Sequence, residues 1–206
     1  GLCRVCRRAP GRGARLGVGA RHSSRATRAL QRLAETDPAL AALALWCRHE
    51  DGPPGGDDPA PAWSDARRVV YGPGFEALSL PEQVGLCAHH VLHIAFCHAT
   101  RADAMAARLG GAFQRDVFNI AADALLNEVL HGAGYALPRP ALRLGPLLAA
   151  LQGRDAPDGQ AALALYDAEA LYTALLHPAA RGAAGASDAP GPRGRAGEAA
   201  RGQGGR

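Results

Sequence analysis

Four histidines lie within ten residues of the chain: His89, His90, His93 and His98. His89 and His93 are one helical turn apart, and imidazoles at i and i+4 can direct two ring nitrogens at one metal ion. On a helical wheel they lie about 40° apart, among apolar neighbours. Because an unpartnered polar group in an apolar interior costs on the order of 2 kcal/mol, we predict that this pair binds a divalent metal. The alternative is a pair of core histidines bonded to backbone or carboxylate groups.

A third ligand has two candidates. His98 would lie about 140° from His93 on a continuous helix, so it reaches the ion only if the helix breaks near Cys97. Asp123 is the other candidate, and it could bind the metal directly or orient a histidine that does.

Asp123 is the centre of a stripe of short polar residues on the next predicted helix, which consists of Asp116, Asn119, Asp123 and Asn127. Solvated helix faces usually carry long charged side chains, so this stripe favours an inward-facing surface, with an ordinary wet face as the alternative. We expect Asn119 and Asn127 to support the metal ligands through hydrogen bonds.

Two helices must position these side chains. Ser79 and Glu82 have the spacing of a capping box and start a helix that reaches at least Cys97. The second helix runs from about residue 113 or 116 to His131 and ends at the glycines that follow.

The rest of the chain predicts more helices than strands. We expect helices from Ser23 or Ser24 to Glu35, from Asp37 to about His49, around 147–151 and over 166–177. One strand is expected within Trp63–Tyr71, loops over Glu50–Pro61 and most of 137–160, and a link of undefined shape over 99–111.

Composition divides the chain into three parts. Residues 1–32 contain nine arginines and no acid, and residues 33–180 contain seventeen acids against nine arginines. We predict a disordered Arg-rich arm over 1–22, a domain over 23–177 and a disordered Gly/Ala/Pro/Arg tail over 178–206. Without aromatic residues, the arm favours a solvated segment over a nucleic-acid-binding one.

The five cysteines do not form a complete metal motif. Cys3 and Cys6 make a single CxxC, while Cys47, Cys87 and Cys97 lie in apolar runs, so we expect free, buried thiols in a reducing compartment. With no apolar run long enough to span a membrane, a cytoplasmic protein is expected.

The stretch AHHVLHIAFCH at 88–98, followed by FNIAADALLN at 118–127, resembles the metallopeptidase domain of bacterial proteins that carry a C-terminal von Willebrand A-like domain. That family shows HExxHxxxxH and then NIAADxxxN. Similar segments lie at Asp65–Phe75, 134–138 and 171–172, so the resemblance covers about residues 25–177.

The resemblance implies a mainly helical, α+β, zincin-like fold that packs a metal-binding helix on a second helix beside a small β element. It also implies one zinc ion, with His89 and His93 as ligands and Asp123 or His98 completing the site. A peptide or protein is the implied substrate or partner.

This chain departs from the family pattern at His90, where the family has the glutamate that serves as general base. Loss of a general base typically lowers the rate by roughly 10² to 10⁴. The sequence therefore predicts a zinc-binding, metallopeptidase-like domain with weak or lost hydrolysis, a possible pseudoenzyme. The alternative is a non-catalytic, metal-stabilised scaffold or protein-interaction module.

Overall fold

The computed structural model describes residues 23–53, 60–153 and 156–177. Within these ranges the chain is mainly helical with a small sheet, which confirms the α+β prediction at this level. The helices are α1 (Thr27–Thr36), α2 (Pro38–Ala44), α3 (Leu80–Ala95), α4 (His98–Leu109), α5 (Arg115–Gly132), α6 (Leu144–Gln152), α7 (Gly159–Ala162) and α8 (Ala168–Leu176), and the strands are β1 (Arg48–Asp51), β2 (Ala62–Ser64) and β3 (Arg68–Tyr71).

Several sequence predictions concern residues outside these ranges. The arm over 1–22, the Cys3/Cys6 pair and the tail over 178–206 all lie outside the described residues. Among the helices that are described, none combines the length and apolarity that a bilayer-spanning segment needs.

The sheet has the strand order β1-β3-β2, with β1 parallel and β2 antiparallel to β3. The strand predicted within Trp63–Tyr71 is present as β3, but the prediction missed the turn at Asp65 and the second strand, β2, that pairs with it. The Asp65 carboxylate accepts hydrogen bonds from the backbone N–H groups of Arg67 and Arg68, at 2.9 and 3.0 Å. This local side-chain bonding closes the turn.

Strand β1 was not expected from the sequence. The helix predicted from Asp37 to about His49 ends at Ala44, and the loop predicted from Glu50 begins only after Asp51. Arg48–Asp51 instead pairs with β3, twenty residues further along the chain. His49 is buried there, with its ring 2.9 Å from the Tyr71 hydroxyl.

Helix α3 begins as predicted, since the Glu82 carboxylate accepts hydrogen bonds from the backbone N–H and the hydroxyl of Ser79 at 3.0 and 2.6 Å. It ends at Ala95, and the link expected over 99–111 is mostly α4. The Ala, Arg, Met and Leu of that segment are good helix formers.

The region after α5 is also more helical than expected. The short piece predicted around 147–151 is α6, and α7 begins at the end of the predicted loop. The Asp158 carboxylate caps α7 by accepting from the N–H groups of Gln160 and Ala161. Helix α8 lies where a helix was expected over 166–177.

Two apolar clusters flank α5. One combines α1, α3 and the sheet, and the other is formed by α4, α6 and α8 with the opposite side of α5. Ten residues of α5 between Phe118 and Leu130 are buried. Cys87 is buried as expected, whereas Cys97 is exposed, which corrects the prediction for that thiol.

Gly85 lets the segment after α5 approach α3 closely. A Cβ at this position would lie 1.9 Å from the backbone oxygen of Ala136. We expect Gly85→Ala to lower the free energy of unfolding by about 3 kcal/mol through overpacking, which corresponds to a fall in melting temperature of roughly 6–12 °C.

Thermal unfolding followed by circular dichroism measures this effect. Gly111→Ala is the matched control, because a Cβ there meets no atom within 4 Å and exposed substitutions usually change stability by less than about 0.5 kcal/mol. An unchanged melting temperature for Gly85→Ala would contradict the packing of this segment on α3.

Candidate metal centre

The structure brings His89 and His93 of α3 together with Asp123 of α5. The Nε2 atom of His93 is 3.0 Å from Nε2 of His89 and 3.0 Å from Oδ1 of Asp123. Nε2 of His89 lies 3.5 Å from the same carboxylate oxygen. Three potential ligand atoms from two helices therefore converge on one point.

The helical repeat explains why α3 supplies two of these atoms. His89 and His93 are four residues apart, so both rings project from the same side of the helix toward α5. Asp123 lies in the middle of α5 and directs a short carboxylate back at them. Only the packing of the two helices is needed to complete the group.

The polar stripe on α5 faces inward over part of its length. Asp116 is exposed and Asn119 is half-buried, whereas Asp123 and Asn127 are buried. The inward orientation predicted for the whole stripe is thus wrong for its first residue, which lies in the first turn of α5. Asn127, the last residue of the stripe, does not bond to the converging group. Its side-chain amide donates to the backbone oxygen of Leu142 at 2.8 Å.

The group is nearly closed to solvent. The side chains of His89, His93 and Asp123 are 1%, 10% and 3% exposed. Burial alone would raise the pKa of Asp123, but the hydrogen bonds from the two histidines outweigh it and hold that pKa well below its usual range. Burial lowers the pKa of His93, although its bond to Asp123 opposes the change.

This donor set suits a metal ion, because carboxylate oxygens and imidazole nitrogens are common metal ligands. The three ligand atoms all lie within 4.8 Å of one another. Two imidazole nitrogens and a carboxylate oxygen are a common ligand set for zinc, whose bonds of about 2.0–2.2 Å place tetrahedral ligands roughly 3.3–3.6 Å apart. The residues present therefore fit a metal ion.

His90 is completely buried and does not join the converging group. Its Nδ1 atom lies 3.0 Å from the Ser64 hydroxyl, and its Nε2 atom has no hydrogen-bond partner in the described part of the chain. Burial lowers the pKa of His90 well below its ordinary value. A fully buried imidazole bonded to the last residue of β2 therefore occupies position 90.

Ser64 is a residue that sequence reasoning missed. It is the last residue of β2 and is 26 residues from His90. A serine at a strand end gives no signal of its own, and the turn at Asp65 that places β2 beside α3 was not expected either.

His98 reaches the neighbourhood of the group but does not converge with it. The helix breaks at Cys97, as a third-ligand role for His98 required, and α4 begins at His98. The Nδ1 atom of His98 lies 3.1 Å from Nδ1 of His93. Burial lowers the pKa of His98 to about 3.

Comparison with known families agrees with this geometry. A family model described as "Putative metallopeptidase domain" matches residues 21–206. This range includes both helices of the converging group and nearly the whole chain. No curated protein and no solved structure matches the chain.

Proposed function

The chain belongs to this metallopeptidase-domain family, and on that basis we propose that it is a zincin-like domain that binds one zinc ion and hydrolyses peptides weakly or not at all. The observation that carries the proposal is the convergence of His89, His93 and Asp123 within 3.0–3.5 Å. The three side chains contact one another in a nearly closed space, and a divalent cation at their meeting point would bind two imidazole nitrogens and one carboxylate oxygen at once.

In this proposal Nε2 of His89, Nε2 of His93 and Oδ1 of Asp123 hold the zinc. A zinc ion bound there acts as a Lewis acid toward a peptide carbonyl. The Asp123 carboxylate is committed to the metal and to the histidines, so it is not free to accept a proton from an attacking water.

His90 is a poor substitute for the glutamate of the family. Its imidazole is anchored through Nδ1 to Ser64, and protonation would place a cation in a fully buried position beside a dication. Since a general base contributes roughly 10² to 10⁴ in rate, a low or absent peptidase activity follows.

Metal analysis of purified protein tests the zinc site. After dialysis, we expect one zinc per chain in the parent protein and less than a tenth of that in His89→Ala and His93→Ala, since each variant removes one of three ligands. His131→Ala is the matched control, because this exposed histidine at the end of α5 lies eight residues beyond Asp123. A parent protein that retains no zinc at equimolar supply would overturn the proposal.

A second candidate function, a metal-stabilised scaffold without catalysis, is favoured by the burial of the group. Structural zinc sites are closed, whereas catalytic sites keep an open coordination position, and His89 and Asp123 are almost inaccessible. Zinc-dependent cleavage of peptides by the parent protein would exclude this candidate. Three further expectations stay predictions: that the partner is a peptide or protein, that the protein is cytoplasmic, and that the domain runs from residue 23 to residue 177.

A further inference from the structure

His98 contacts the ring of His93, one of the three converging side chains. The contact is on the side of that ring opposite to His89 and Asp123. Nε2 of His93 faces His89 and Asp123. Nδ1 of the same ring lies 3.1 Å from Nδ1 of His98. The His93 ring is therefore held at both of its nitrogens.

We propose that His98 is a positioning residue that fixes the orientation of His93 for metal binding, and is not itself a ligand. The inference rests on the proposed function, since it requires a metal at the His89/His93/Asp123 group. When Nε2 of an imidazole binds a metal, its Nδ1 carries the proton and needs an acceptor. Nδ1 of His98 is that acceptor, in a place where metal sites ordinarily have a carboxylate, a carbonyl or a water.

The backbone at Cys97 produces this contact. Cys97 has φ 55° and ψ 32°, in the left-handed region, which costs a non-glycine residue roughly 1–2 kcal/mol. The break ends α3 at Ala95 and starts α4 at His98. On a continuous helix His98 would lie about 140° from His93, and here it is turned back onto that ring.

Neighbouring rings hold His98 in place. Its ring centroid lies 5.9 Å from Phe96 in a stacked arrangement and 6.5 Å from Phe118 of α5 in an edge contact. His98 is buried, with 6% of the residue's surface exposed. His98 is not part of the group whose ligand atoms lie within 4.8 Å of one another, and this packing holds its ring against His93.

Three substitutions of His98 test the proposal, because they differ in where they place a hydrogen-bond acceptor. His98→Asn places an amide oxygen near the position of Nδ1, His98→Gln places it near Nε2, and His98→Ala removes it. We expect zinc affinity, measured by competition with a chromophoric chelator, to fall about 10–100-fold in His98→Ala and His98→Gln, as for loss of an outer partner of a metal ligand. The zinc affinity of His98→Asn should stay within about fivefold of that of the parent protein. This change is smaller than the loss expected for the other two variants.

Cobalt absorption spectra separate positioning from ligation. Cobalt(II) bound to the His98→Ala protein should keep the band positions and intensities of the parent, because the three ligands are unchanged. A changed spectrum would identify His98 as a ligand and overturn the proposal. Cys97→Gly serves as a backbone control, since glycine adopts the left-handed conformation without strain, and we expect it to bind zinc like the parent.

The outcomes distinguish this inference from the function on which it rests. If the parent binds neither zinc nor cobalt, both fail. If the parent binds zinc and all three His98 variants bind it equally well, only the positioning role fails, and the contact between His93 and His98 is packing alone.

Discussion

Replacing Asp123 with alanine is expected to lower zinc affinity by more than the roughly 10–100-fold that loss of an outer partner costs. Asp123 supplies the one carboxylate of the converging group, and it contacts both histidines. Without it, two buried imidazoles remain 3.0 Å apart with no negative charge to attract or neutralise the cation.

Zinc-induced stabilisation measures this loss through folding. A ligand that binds only the native state at about 100 times its Kd raises the free energy of unfolding by about 2.7 kcal/mol. The parent protein should therefore unfold at a higher temperature with zinc than with a chelator, and Asp123→Ala should unfold at the same temperature in both.

Asp116→Ala is the matched control for this prediction. Asp116 has the same side chain on the same helix, seven residues before Asp123, but it is exposed. We expect it to keep the zinc response of the parent. If Asp123→Ala is folded without metal and still gives the parent's zinc response, the third ligand lies elsewhere and the geometric basis of the site is lost.

The converging group was predictable because local geometry determines most of it. Four residues between His89 and His93 place two rings on one side of any regular helix, and the capping box of Ser79 and Glu82 starts that helix. Asp123 followed from the polar stripe on α5, although Asp116 of that stripe is exposed and Asn127 bonds to the backbone oxygen of Leu142 instead. Short-range sequence patterns were thus sufficient to predict which side chains of α3 and α5 converge.

The elements that were missed depend on contacts between distant residues. β1 pairs with β3 across twenty residues, and strand formation follows pairing and burial more than local preference. The contact between Ser64 and His90 depends on the same sheet. No local pattern encodes such pairs.

The role of His98 was ambiguous for a different reason. A glycine at position 97 would have marked a helix break and suggested where the next side chain points. The chain has cysteine there in a left-handed conformation, so the sequence left open whether His98 was a ligand. The direction of its ring depends on this strained residue and on packing against α5.

Replacing His90 with glutamate is expected to raise zinc-dependent peptide hydrolysis by roughly 10² to 10⁴, the usual contribution of a general base. The carboxylate would lie on the same helix as His89 and His93, one residue after His89. The Ser64 hydroxyl, now 3.0 Å from the His90 ring, is placed to donate to a carboxylate there. Cleavage of a mixture of fluorogenic peptides, with and without chelator, measures the gain.

His90→Gln is the matched control, since it has the size of glutamate but cannot accept the proton. Activity in His90→Glu alone would show that the parent chain retains a competent metal site and lacks only the base. Equal zinc-dependent activity in the parent and in His90→Glu would contradict the prediction, because His90 would then itself be an adequate base. If His90→Glu binds one zinc and cleaves nothing, the closed site of the scaffold interpretation is favoured, since burial that excludes solvent also excludes a peptide.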